Sequence, residues 1–197
     1  MSRYVKNMQG SGTSHYRQVE PTVHLRPFER NDLNISYVWS RARGDLNALG
    51  NVFVPFEQPV IRANVYGTLP SDVSNRLVAW GLLQLPLKLA LSPVADVHTG
   101  LPFSKVDVLQ NYVETPKSAR FPAFFSLDIR IYRDFELRAP FLGRSKKGRK
   151  LRLGVYSLNL TDHRNPHDVY TNMASPLFGK FAGYYGRIDG LVLDIVN

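Results

Sequence analysis

The residues best suited to chemistry lie in one short stretch, Asp162-His163-Arg164-Asn165-Pro166-His167-Asp168. Two imidazoles flanked by two carboxylates are the ligand types that zinc prefers. Pro166 prevents a regular helix there, and the spacing places no third ligand. The stretch therefore reads as a structural turn, with a metal pair as the alternative. Serine, histidine and aspartate all occur, yet no G-x-S-x-G elbow presents a serine for nucleophilic attack. Gly10-Ser11-Gly12 lacks the flanking strand and helix of a phosphate loop and reads as part of a flexible N-terminal segment, residues 1–13. The carboxylates are dispersed. No catalytic, cofactor-binding or metal-binding set is assigned, and the expectation is a protein that is not an enzyme.

The elements that would position any site are read from the alternation of apolar and polar residues. In Phe124 to Phe135, FFSLDIRIYRDF, one set of side chains is Phe125, Leu127, Ile129 and Ile131. The other is Ser126, Asp128, Arg130, Tyr132 and Asp134. Period two means a strand with one dry face and one wet face. Asp128 and Arg130, two apart on the wet face, could pair with each other or simply be solvated.

The pattern recurs in about seven extended segments. The first runs from Ser14 to Phe28, and the second from Asp32 to about Arg43. The third and fourth form a hairpin around Pro86, and the fifth is Phe124 to Phe135. The sixth is Leu151 to Leu160, and the seventh is Arg187 to Val196. Leu77 to Ala95 is apolar enough to suggest a membrane helix, but Pro86 and Pro93 would each cost about 3 kcal/mol inside one. As a hairpin it becomes regular, with Lys88 and Asp96 on the polar side. Long connections span residues 44–75, 99–122 and 161–184, and they alternate with shorter ones. The fold expected is all-β, an antiparallel up-and-down meander. Segments of about ten residues, with short turns on one side and long loops on the other, suit part of a transmembrane β-barrel. Tyr37 and Trp39 fit an interfacial aromatic girdle, and they equally fit a soluble core.

The net charge of +9 over 197 residues invites a nucleic-acid reading. Only residues 144–150, RSKKGRK, are clustered, and they sit beside glycines in a turn, so no nucleic-acid partner is expected. Cysteine is absent, which excludes disulfides and cysteine-based metal sites. The N-terminal residues contain no apolar stretch of the signal-peptide kind.

Several segments carry a family resemblance: Ser40 to Asn47, Tyr66 to Arg76, His98 to Asp107, Gln110 to Val113, Arg120 to Phe135 and Leu151 to Phe181. Over residues 14–197 the chain resembles the C-terminal β-barrel portion of a TonB-dependent outer-membrane receptor, in the subgroup with an N-terminal carboxypeptidase-regulatory-like domain. The resemblance implies a barrel of about 22 strands, of which this chain would be a fragment. It also implies a Gram-negative outer-membrane location and uptake of a nutrient such as a metal chelate or glycan. The partners implied are outer-membrane lipid, a ligand the sequence does not identify, and the TonB complex, reached only through a plug that this sequence lacks. Lys88, Asp96, Asp128, Arg130, Tyr132 and Arg152 would face the lumen. The terminal LVLDIVN departs from the aromatic ending usual in such barrels. A small stand-alone porin-like barrel and a soluble β-sandwich binding module are the competing expectations.

Overall fold

In the computed structural model, residues 13–27, 30–45, 66–136 and 150–196 are described. Most of the expected flexible N-terminal segment, Phe28 and residues 144–149 of the basic run lie outside them.

Among the described residues the fold is all-β. The strands are β1 (Ser14–Val19), β2 (Thr22–Leu25), β3 (Asp32–Gly44), β4 (Gly67–Thr68), β5 (Asn75–Leu85) and β6 (Leu89–His98). There follow β7 (Pro102–Phe103), β8 (Ala119–Arg120), β9 (Phe124–Glu136), β10 (Lys150–Leu158), β11 (Asn165–Val169), β12 (Phe181–Tyr185) and β13 (Ile188–Val196). One antiparallel sheet takes the order β1-β3-β5-β6-β9-β10-β13. β2 pairs β3 beyond β1, with Val19 opposite Trp39 and Val23 opposite Ile35, so β1 and β2 are one strand interrupted at Glu20-Pro21. Proline has no amide proton for the ladder, and an edge strand tolerates the gap.

The seven-segment meander is thus present, with two differences in detail. First, Leu87 and Lys88 are not strand residues. With Pro86 they form a tight turn, both at positive φ (63° and 59°), and β6 begins at Leu89. Second, the long connections are not plain loops but hold β4, β7, β8, β11 and β12. Their short pairings, such as Pro102 with Arg120 and Val169 with Phe181, escape a period-two search because two to five residues carry no measurable period.

Register sorts the side chains. Leu127 faces Ala95, Ile129 faces Pro93, Ile131 faces Leu91, and on the other side Ile131 faces Val155, which faces Leu191. The apolar set from β1 to β13 therefore forms one continuous face. Pro93 interrupts the β5–β6 ladder between the pairs Trp80–Val94 and Leu83–Leu91, where it has no proton to donate.

No second sheet or helix packs on that apolar face among the described residues. Leu191 is 84% exposed, Leu193 72% and Ile195 69%, and Val155, Leu153, Val97, Leu77, Val23 and Val19 are exposed as well. The buried strand residues lie mostly on the opposite, polar face and are small: Ser36, Ser40, Ala42 and Ala90. The apolar side is thus not the covered one, as it would be in a sheet packed on a core. Tyr37 and Trp39, at 41% and 43% exposure, belong to the open apolar face and pack no core. β1/β2 and β13 are the sheet's two edges and do not pair with each other, so the described strands form no closed barrel.

Candidate functional site

The polar face is laced by ion pairs between neighbouring strands. Arg76 of β5 grips Asp96 of β6, Nε to Oδ1 at 3.0 Å and Nη2 to Oδ2 at 2.7 Å. Arg152 of β10 grips Asp134 of β9 in the same way, at 2.7 and 2.9 Å. Two parallel N–H donors on one carboxylate fix orientation as well as charge. The Arg152 guanidinium also lies over the Tyr132 ring, 4.1 Å from its centroid, at cation–π distance. The ring has room because Gly154 stands opposite Tyr132 in the register. Gly190 stands opposite Tyr156 in the same manner, and a Cβ there would collide with the Tyr156 ring.

Asp128 and Arg130 do not pair with each other. Asp128 accepts hydrogen bonds from the Ser126 hydroxyl (2.6 Å) and the Asn159 amide (2.8 Å). Arg130 reaches across to Asp194 of β13 at 3.7 Å, and its Nε is buried without a hydrogen-bond partner. Of the six residues expected on this face, the register brings Asp96, Asp128, Arg130, Tyr132 and Arg152 together. Lys88 lies apart from them in the β5–β6 turn.

The long connections meet at one end of the sheet and lock to one another. Asp72, 2% exposed, accepts the Ala42 amide at 2.6 Å and the Ser74 hydroxyl at 3.1 Å. Its carboxylate also receives the Arg120 guanidinium from the second connection. Arg120 donates further to the Ser74 hydroxyl (2.9 Å) and to the carbonyls of Asp72 and Gly100 (3.0 Å each). Burial pushes the Asp72 carboxyl up, but the Ala42 amide, Arg120 and Ser74 together outweigh it and hold the group below its ordinary value. The second connection joins the third through Val106, 1% exposed. The Val106 amide donates to the Thr171 carbonyl, and the Val106 carbonyl accepts from the Met173 amide. Phe103 and Phe121 of the second connection pack against Phe181 of the third, with ring centroids 5.4–6.4 Å apart.

The D-H-R-N-P-H-D stretch has a structural occupation in this cap. The Asn165 side chain pairs with both backbone groups of Phe125, Nδ2 to the carbonyl at 2.7 Å and Oδ1 from the amide at 3.0 Å, extending the β9 ladder with a side chain. His163 stands edge-on to Phe125, while His167 contacts Asp168 and the Tyr185 ring. The two histidines thus serve different neighbours, and no cluster of three or more metal-ligating side chains occurs among the described residues. The Asp72–Arg120 contact could not be found by spacing, since 48 residues separate the partners.

No protein-family model matches the chain, and no curated protein or solved structure matches it either.

Proposed function

We propose that this chain is a membrane-spanning β-sheet of an outer-membrane transport protein, part of the barrel of a TonB-dependent receptor that takes up a nutrient such as a metal chelate or glycan. The observation that carries the reading is the continuous apolar face left open to the surroundings, backed by a polar face of cross-strand ion pairs. In water such a face would aggregate or demand a cover. Against lipid tails it is the expected lining. Strands of 9–13 residues in β3, β5, β6, β9, β10 and β13 match the span of a tilted strand across the hydrocarbon. Backbone groups cannot stay unpaired in hydrocarbon, so the two edges must be closed by further strands. The cap of locked connections would then be the extracellular side, where ligand arrives, and the ion-paired face would line the interior. The tight turn at Pro86 and the β2–β3 turn would face the periplasm.

Fractionation tests the reading. The chain, expressed with an export leader, should sediment with outer membranes and leave them only in detergent. A monodisperse monomer in detergent-free buffer would remove the membrane assignment and transport with it.

A further inference from the structure

At the cap end of the apolar face, the side chains change abruptly from aromatic to basic. Along β3 the exposed positions read Tyr37, Trp39, Arg41 and Arg43, alternating with Ser36, Ser40, Ala42 and Gly44, which are buried. β1 doubles the pattern, since Arg17 stands directly opposite Arg41, and His15 directly opposite Arg43. Arg17 and Arg41, like charges directly opposite one another on antiparallel strands, oppose the pairing. None of the ion pairs among the described residues offsets this, for none involves Arg17, Arg41 or Arg43. Asp45, the next carboxylate along the chain, accepts the Thr13 amide instead.

We infer that Arg17, Arg41 and Arg43 form a binding site for the phosphate of a membrane-lipid headgroup. Guanidinium groups match phosphate oxygens with paired donors, and several arginines on one anion convert mutual repulsion into shared attraction. The position selects a lipid over other phosphates. The cluster continues without a break into Trp39, Tyr37 and Val19, so one ligand must offer an anionic head and an apolar tail side by side. Nucleic acid offers the first and not the second. Tyrosine and tryptophan at the boundary mark the depth where tails give way to headgroups. The site rests on the membrane reading above and specifies which lipid chemistry the cap-side rim would select.

Flotation of the full chain with vesicles tests it. Phosphatidylcholine vesicles are compared with vesicles of phosphatidylcholine and phosphatidic acid. The unaltered chain should bind the phosphatidic acid vesicles roughly 100-fold more tightly, and the R17Q/R41Q/R43Q variant should lose most of that preference, keeping only the attraction of its remaining net positive charge. The single R41Q variant should lose about fivefold on phosphatidic acid, which tests the site with one exposed side chain altered. An R26Q/R30Q/K150Q variant, equal in net charge but altered at the opposite end, should keep the full preference. Loss of preference in both triple variants, or in neither, overturns the site. So does competition by millimolar inorganic phosphate at constant ionic strength, which would mark a free-anion site, or by an oligonucleotide. Equal binding of the unaltered chain to both vesicles overturns the site and leaves the membrane reading standing. Binding to neither overturns both.

Discussion

Arg120 closes on Asp72 across 48 residues of chain, joining the second long connection to the first. Asp72 is almost fully covered, and Arg120 is about one-third exposed. The pair therefore works as a latch: the buried carboxylate has no other cationic partner among the described residues, and it holds strand β3 through the Ala42 amide while Arg120 ties the first connection at Ser74 to the second at Gly100.

Removing one partner of a buried pair leaves an uncompensated charge. Arg120→Met should cost the cap about 3–5 kcal/mol. Asp72→Asn leaves no buried anion behind and should cost less. Hydrogen exchange of residues 99–123 reads the difference. Protection lost equally in both variants would show that the stranded charge is not the cause.

The same latch has an acid limit. The Asp72 carboxyl is lower in the folded state than in the unfolded chain, so its contribution is complete above the unfolded value of about 3.9 and is lost as pH falls through the folded value. Cap protection followed by hydrogen exchange should hold at pH 5 and above (roughly one unit over that value) and weaken below about pH 4. Asp72→Asn should flatten this dependence.

The two faces of β9 should differ in their tolerance of charge. Ile129→Lys places an ammonium on the apolar face and should weaken membrane assembly by roughly 2–4 kcal/mol near the midplane. Ser126→Lys, on the polar face beside Asp96 and Asp128, should be tolerated. Refolding yield into lipid vesicles compares them, and equal yields would argue against the assigned faces.

Gly190 is held to glycine by the Tyr156 ring lying across it. Gly190→Val should displace that ring and loosen β13 from β10, with faster exchange of the Leu191 and Leu193 amides. Tyr156→Ala in the same chain should restore much of the pairing, because it removes the obstruction.

Much of the sheet was legible in the sequence for one physical reason. Its main strands, β3, β5, β6, β9, β10 and β13, run to 9–13 residues with one more apolar face, so the period of two repeats often enough to be read. FFSLDIRIYRDF specifies β9 almost to the residue. The hairpin at Pro86 was legible as well, although the turn absorbs Leu87 and Lys88, and Lys88 leaves the polar face. The ion pairs were less legible. Asp128 and Arg130 are two apart in sequence, but Arg130 reaches diagonally over β10 to Asp194 of β13, four residues on from Gly190 at its own register level, and Asp128 is taken by Ser126 and Asn159. The cap was not legible at all. Its contacts join connections with no periodicity, and Asn165 acts as a stand-in for backbone, a role its side chain does not announce.

The central claim is that the open apolar face meets lipid. The chain contains no cysteine, so single cysteines from 124 to 136 can each carry a spin label after reconstitution in bilayers. Collisions with oxygen, which concentrates in hydrocarbon, should peak at positions 125, 127, 129 and 131. Collisions with a water-soluble nickel chelate should peak at 126, 128, 130 and 132. Two profiles alternating out of phase would be the signature of a lipid-facing strand, whereas equal access of the nickel chelate to both sets would contradict the account.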